Sequence, residues 1–224
     1  DAKADQFKQI ENMMKIPGIG AYVLVSNRLD QKNEGEEVFM KNAQEIFEKF
    51  PEIDFGIYEC PMPWKRLVSL DFLRQVAPQC RMVFLKDTCC DYELIRERLK
   101  AVEGTPLKIF NANAQSWFDS YCHGSAGYNG VMANFHPDLY KWAYDHKDSD
   151  PEKARLVADF LTTAAMIEMR AYPVSAKYHQ NLVDVPMSLV TRSADVAKLD
   201  KNARGEVESL IAMENYVRKQ LGIL

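Results

Sequence analysis

The chain has 224 residues, 47% of them apolar, with 28 Lys and Arg against 32 Asp and Glu and a net charge of -4. That length and apolar share suffice for one large domain or two small ones with a buried core, and the slightly acidic balance offers no broad attraction to nucleic acid or to an anionic membrane. No apolar run approaches the ~18 residues of a membrane span and no basic start leads into an apolar stretch, so neither a span nor a signal peptide is expected. The five cysteines are odd in number and form no Cys-x-x-Cys pair, which predicts neither a disulfide framework nor a zinc site and points to a reducing cytoplasm.

A helix-like segment, Ala4 to Lys15, comes first and ends at Ile16-Pro17-Gly18. Five short runs rich in Val, Ile, Phe and Tyr follow as strand candidates: Ala21 to Ser26, Phe55 to Cys60, Arg81 to Asp87, Leu107 to Ala112 and Gly127 to Asn134. Between them Glu36 to Phe50, Leu67 to Val76, Asp91 to Val102 and Ala114 to Cys122 carry apolar residues three or four apart and read as helices. Successive strand starts lie 34, 26, 26 and 20 residues apart, about what one strand, one helix and two short loops occupy. Repeated βα units in a parallel sheet are therefore predicted. Beyond Asn134 the pattern is helical: Pro137 to His146, Pro151 to Ala171, Pro173 to Leu182 and Lys201 to Leu221, with Asp150-Pro151-Glu152 as cap, first-turn proline and acidic first turn. The division this suggests is 1–147 for the βα part and 148–224 for a helical extension packed on it.

The chemistry-bearing candidates sit at strand ends. Alternation along RMVFLKD puts Met82, Phe84 and Lys86 on one face and Val83, Leu85 and Asp87 on the other. An amine among bulky apolar groups loses solvation of its charged form, and its pKa falls toward the range where a neutral nucleophile exists, as imine formation requires. A lysine snorkelling from a strand end to solvent is the bland alternative. In FGIYEC the same rule groups Gly56, Tyr58 and Cys60, so Tyr58 can face Lys86 from an adjacent strand and relay protons; as a plain residue it can equally be a core-filling aromatic.

Gly56-Ile57-Tyr58-Glu59-Cys60-Pro61 resembles the strand-five Tyr-x-x-Pro motif of the dihydrodipicolinate synthase and N-acetylneuraminate lyase family of class I Schiff-base aldolases. Phe84-Leu85-Lys86-Asp87-Thr88 resembles its strand-six Ile-Lys-Glu/Asp-Thr/Ser motif, and the 28 residues from Tyr58 to Lys86 suit its spacing. Asn111-Ala112-Asn113 lies where the family has a turn after strand seven, Gly127 to Asn134 looks like its strand eight, and Ala171 to Lys177 resembles the opening of its last helical region. The resemblance implies a TIM (β/α)8 barrel, here strands four to eight, with a C-terminal helical extension and assembly into a dimer or tetramer. It implies Lys86 as the imine-forming amine, Tyr58 as the proton shuttle, and Asn129, Asn111 and Asn113 beside the bound keto acid. The substrates it implies are a 2-oxo acid such as pyruvate and an aldehyde.

Departures narrow this reading. The strand-two motif that binds the substrate carboxylate has no counterpart, and five strands with an open edge predict either further N-terminal residues or an unusual assembly. The tyrosine after strand four and the arginine after the strand-five proline that mark dihydrodipicolinate synthases are absent in place, and the acidic and hydroxyl groups of neuraminate lyases are replaced by two asparagines and Trp117. Arg28, Lys65 and Arg66 are candidates to hold an acidic second substrate. Cys60 and Cys89 read as small buried groups. The four histidines lack metal-ligand spacing, Gly18-Ile19-Gly20 precedes a strand, and neither metal nor cofactor is expected. The expected function is a lyase or synthase that joins or cleaves a 2-oxo acid and an aldehyde through an imine; the alternatives are an inactive homologue that binds 2-oxo acids or serves in assembly, and a Schiff-base dehydratase.

Overall fold

The computed structural model describes residues 3–223. They form two compact units, divided between Asn129 and Gly130.

The first unit holds the βα series. Strands β1 (Ala21–Val25), β2 (Asp54–Tyr58), β3 (Met82–Asp87), β4 (Lys108–Asn111) and β5 (Gly127–Tyr128) pair in sequence order, every pair parallel. Helices α1 (Lys3–Met14), α2 (Glu36–Lys49), α3 (Leu70–Val76), α4 (Tyr92–Ala101) and α5 (Trp117–Cys122) precede and connect them. One face of the sheet is dry. Leu24, Phe55, Ile57, Leu85 and Ile109 are buried there in one core with Phe39, Ile46, Phe72 and Ile95 of the helices, each side chain worth about 1.5–3 kcal/mol in burial. The opposite face carries Tyr58, Phe84, Lys86 and Phe110, all half-buried.

Helix starts are set by side chains. Ser69 accepts a hydrogen bond from the Phe72 amide at 3.0 Å and Asp91 from the Leu94 amide at 2.8 Å, each satisfying a donor the first turn cannot use. Helix α5 starts at Trp117, three residues later than the sequence pattern indicates, because Asn113 Oδ1 takes the amides of Gln115 and Ser116 at 3.2 and 2.9 Å and closes a turn there.

Strict alternation fails at one point in β3. Phe55 pairs with Met82, but Gly56 pairs with Phe84, so Val83 is an extra residue in the ladder. Met82 therefore lies fully buried with Leu85 on the helix-covered side, not with Phe84 and Lys86. The run Gly127 to Asn134 also departs from expectation: only Gly127 and Tyr128 are strand, and Val131–Asn134 is a 3-10 turn. The partner ladder runs out, since β4 ends at Asn111, opposite Tyr128.

The second unit is helical: α6 (Pro137–His146), α7 (Pro151–Ala164), α8 (Val174–Leu182) and α9 (Lys201–Leu221). Asp150 and Asp200 cap α7 and α9 through the amides of Lys153 and Ala203, at 3.3 and 2.8 Å. The α-helix expected over Pro151 to Ala171 ends at Ala164 and tightens into a 3-10 segment, Ala165–Met169. No helix among the described residues is long and apolar enough to cross a membrane.

Two glycines shape the half-buried face. A Cβ at Gly56 would stand 3.1 Å from the Phe84 carbonyl oxygen and 3.0 Å from Phe84 Cβ, and one at Gly127 would stand 2.8 Å from the Phe110 ring. Hydrogen at these positions lets Phe84 and Phe110 lie across the neighbouring strands, their rings 5.1 Å apart. Because main chain blocks Gly56, the Gly56→Ala variant is expected to lose about 1–3 kcal/mol of stability, measured by urea unfolding, whereas Gly127→Ala meets a ring that can swing and loses less.

Candidate active site

Lys86 and Tyr58 occupy paired positions at the C-terminal ends of β3 and β2. The lysine Nζ stands 4.4 Å above the centre of the tyrosine ring. Phe110, the partner of Lys86 on β4, and Phe84, two residues back, make the surroundings apolar. Burial lowers the Lys86 pKa below the ordinary lysine value, against an opposing pull from the nearby Cys60. The structure thus brings together the two residues the sequence singles out as catalytic, with the amine shifted toward its nucleophilic form.

The three asparagines are arranged differently. Asn111 pairs with Asp87, so its side chain lies on the helix-covered face. It is fully buried there, donating to Ser116 Oγ at 3.0 Å and Ser120 Oγ at 3.2 Å and accepting from the Asn113 amide at 2.8 Å. Asn113 spends its side chain on Gln115 and Ser116. The backbone carbonyl of Asn111 accepts from the Asn129 amide at 2.8 Å, and alternation from Gly127 returns Asn129 to the face of Phe110 and Lys86. Asn111 and Asn113 thus build the turn that holds Asn129, and their side chains are not brought to Lys86.

Of the basic candidates, Arg66 is committed to Glu36 at 2.9 Å and Asp30 at 3.7 Å, with Phe39 beneath its guanidinium. Arg28 reaches Gln9, and Lys65 extends to Cys90 on the surface. A cavity of about 250 Å³ lined by Asn27, Arg28, Gln31, Pro63 and Trp64 opens on the loops after β1 and β2. Burial, reinforced by Asp87, pushes the Cys89 thiol up to about 12, which leaves it no thiolate for chemistry at neutral pH.

A buried ion cluster, not anticipated from the sequence, fixes this region. Arg98 of α4 is fully buried with Glu59 and Asp87. Its guanidinium meets Glu59 at 2.9 and 3.2 Å, makes a short contact with Asp87, and donates to the Val68 carbonyl. Glu59 also accepts from the amides of Val68 and Thr88, both at 2.7 Å, and Thr88 Oγ1 donates to the Glu59 carbonyl at 2.9 Å. Burial works against the guanidinium charge, but the two carboxylates more than offset it and raise the Arg98 pKa. Glu59 follows Tyr58 and Asp87 follows Lys86, so the cluster locks both candidate residues from the opposite face. One signal for it was present: Arg98 interrupts the apolar stripe of Ile95, Leu99 and Val102.

Removing one member of such a cluster leaves the others buried and uncompensated, which costs about 3–5 kcal/mol. Arg98→Met is expected to destabilise the chain by that amount, read from chemical denaturation; a loss below about 1 kcal/mol, the worth of an exposed ion pair, would contradict the role given to the cluster.

No family model matches the chain, and no curated protein matches it in sequence. Solved structures match it in fold. The dihydrodipicolinate synthase of Thermotoga maritima is similar over 100% of this chain and 73% of its own, at 17% identity and a TM-score of 0.74. A prophage protein of E. coli K12 belonging to the dihydrodipicolinic acid synthase family, solved in complex with pyruvate, covers 95% of this chain and 72% of its own at 15% identity and TM-score 0.79. The sialic acid aldolase of Ruminococcus gnavus gives 97% and 72% coverage, 15% identity and TM-score 0.79. The chain therefore has the α/β fold of the dihydrodipicolinate synthases and sialic acid aldolases, the group its strand motifs resemble.

Proposed function

We propose that β1 to β5 are strands four to eight of a (β/α)8 barrel, and that Lys86 captures pyruvate or a related 2-oxo acid as an imine for reversible aldol cleavage or addition. The observation that carries this is the pairing of Lys86 with Tyr58 at the C-terminal ends of two parallel strands, Nζ 4.4 Å above the phenol ring, with the lysine pKa lowered by burial. Strand C-termini are where barrel enzymes place their chemistry. The fold likeness to structures named as synthases and an aldolase supports the same reading.

In the proposed reaction, neutral Nζ adds to the C2 carbonyl of the 2-oxo acid, and Tyr58 delivers the proton with which the carbinolamine oxygen leaves as water. The Tyr58 phenolate left by that step takes the C3 proton as the C3–H electrons pass into the protonated imine, giving an enamine whose C3 attacks the aldehyde carbon, and the phenol returns the proton to the aldehyde oxygen as the new bond forms. Hydrolysis of the imine restores Lys86 and releases the product. Cleavage runs the same steps backwards. Asn129 is proposed to contact the keto acid, held in place by the turn of Asn111 and Asn113. Assembly into homo-oligomers remains part of the proposal through the resemblance alone.

Incubation of the full chain with pyruvate and borohydride is expected to add the reduced adduct mass at Lys86; absence of that mass sinks the proposal. Lys86→Ala is expected to abolish turnover, and Tyr58→Phe to lower kcat by about 10²–10⁴-fold, the usual worth of a positioned proton donor, with little change in KM. Since burial favours the neutral amine, the trapping rate should rise with pH through a midpoint below the ordinary lysine value of about 10.4; a midpoint at or above that value contradicts the assignment.

A further inference from the structure

In the second unit, His136, His179 and Glu214 bring one ligand atom each within 4.8 Å of one another. His136 is the residue before α6, His179 lies on α8 and Glu214 on α9. The side chains are 0%, 0% and 5% exposed. His136 Nδ1 stands 2.9 Å and His179 Nε2 3.0 Å from the same oxygen, Glu214 Oε2. We propose that these three residues form a structural site for a divalent transition-metal ion of the zinc type.

The far nitrogens, His136 Nε2 and His179 Nδ1, have no hydrogen-bond partner among the described residues. Aromatic rings pack on the imidazoles: the Phe135 ring centre is 5.2 Å from that of His179 and the Phe160 ring centre 6.0 Å from that of His136. With their hydrogens on those far nitrogens, the imidazoles turn the lone pairs of His136 Nδ1 and His179 Nε2 toward Glu214 Oε2. Three electron-rich atoms then face one another and need a cation among them. A single proton serves one ring; a metal ion accepts both nitrogens and the oxygen together.

The two contacts to Glu214 are close to what such an ion requires, and the imidazole nitrogens, within 4.8 Å of each other, draw together around it. Tetrahedral zinc with ligands at about 2.0–2.1 Å holds them roughly 3.3 Å apart, so each contact to Glu214 opens by only a few tenths of an ångström. The second oxygen of Glu214 is occupied by Arg218, at 3.2 and 2.5 Å, and Arg218 is held in turn by Asp138 at 3.0 Å. Outer groups of this kind orient a ligating carboxylate. Ser175, fully buried with an unpartnered hydroxyl, lies one turn before His179 on the same face of α8, a placement suited to holding a water in the fourth position. Burial of all three ligands marks a closed, structural centre that ties three segments of the unit together, so binding the ion and folding the unit are coupled.

The test uses the full chain, expressed with zinc in the medium and purified without metal-affinity resin. Elemental analysis is expected to find one zinc per chain, and exchange with Co2+ to give the visible absorption of a four-coordinate ion. A chelator should lower the unfolding temperature and ZnCl2 restore it. His179→Gln is expected to bind no zinc, and Arg218→Lys to bind it about 10–100-fold more weakly. Because the histidine variant can fail to fold, the cobalt spectrum of the unaltered chain decides independently. Substoichiometric metal together with no cobalt band overturns the proposal, as does a folded His179→Gln protein that keeps its zinc.

Discussion

The positions of Tyr58 and Lys86 depend on a guanidinium neither residue touches on its own face. Arg98 is fully buried between Glu59 and Asp87, the residues that follow them at the ends of β2 and β3. In a strand, fixing one side chain on one face fixes its neighbour on the other. The cluster therefore aims the phenol and the amine by holding two carboxylates against the helices. Buried ion pairs are weak sources of net stability but strong penalties when broken, so the same cluster ties α4 to two strand ends with little tolerance for a shift in register.

How far this was legible in the sequence depends on distance along the chain. Period-two alternation is local, and it grouped Tyr58 with Gly56 and Lys86 with Phe84, as the ladder has them. It misassigned Met82, since a bulge at Val83 is imposed by pairing with β2 and leaves no mark in the run of β3 itself. It extended β5 to Asn134 because a strand's length is set by its partner, and β4 has nothing to pair beyond Asn111. Arg98 was hidden differently. A charged residue in a helix is read as surface, and only the meeting with Glu59, 39 residues earlier, makes it core. The histidines were set aside for lack of spacing, yet Glu214 reaches back 35 residues to His179 and 78 to His136. Contacts of that range carry no periodic signal.

The asparagines show how residues can meet at one turn and still send their side chains to different faces. Asn111, Asn113 and Asn129 do meet at the ends of β4 and β5. The pleat divides them, sending Asn111 among the serines of α5 and returning Asn129 to the open face. Their nearness was implied by the resemblance to the aldolases; the direction of each side chain was a matter of register.

The two phenylalanines that lie across Gly56 and Gly127 have a consequence for how this surface can change over generations. Phe84 occupies the volume that a side chain at position 56 would need, and Phe110 that of position 127. Each pair is thus a single packing unit spread over two strands. At Gly127 an added methyl group is tolerated once the Phe110 ring is trimmed, whereas at Gly56 the Phe84 main chain still stands in the way; trimming either ring alone leaves a void, which close-packed surfaces also resist. Descendants of this chain should keep glycine at 56 and exchange bulk between positions 127 and 110 together, so the ground beside Lys86 shifts in whole steps and not by gradual adjustment.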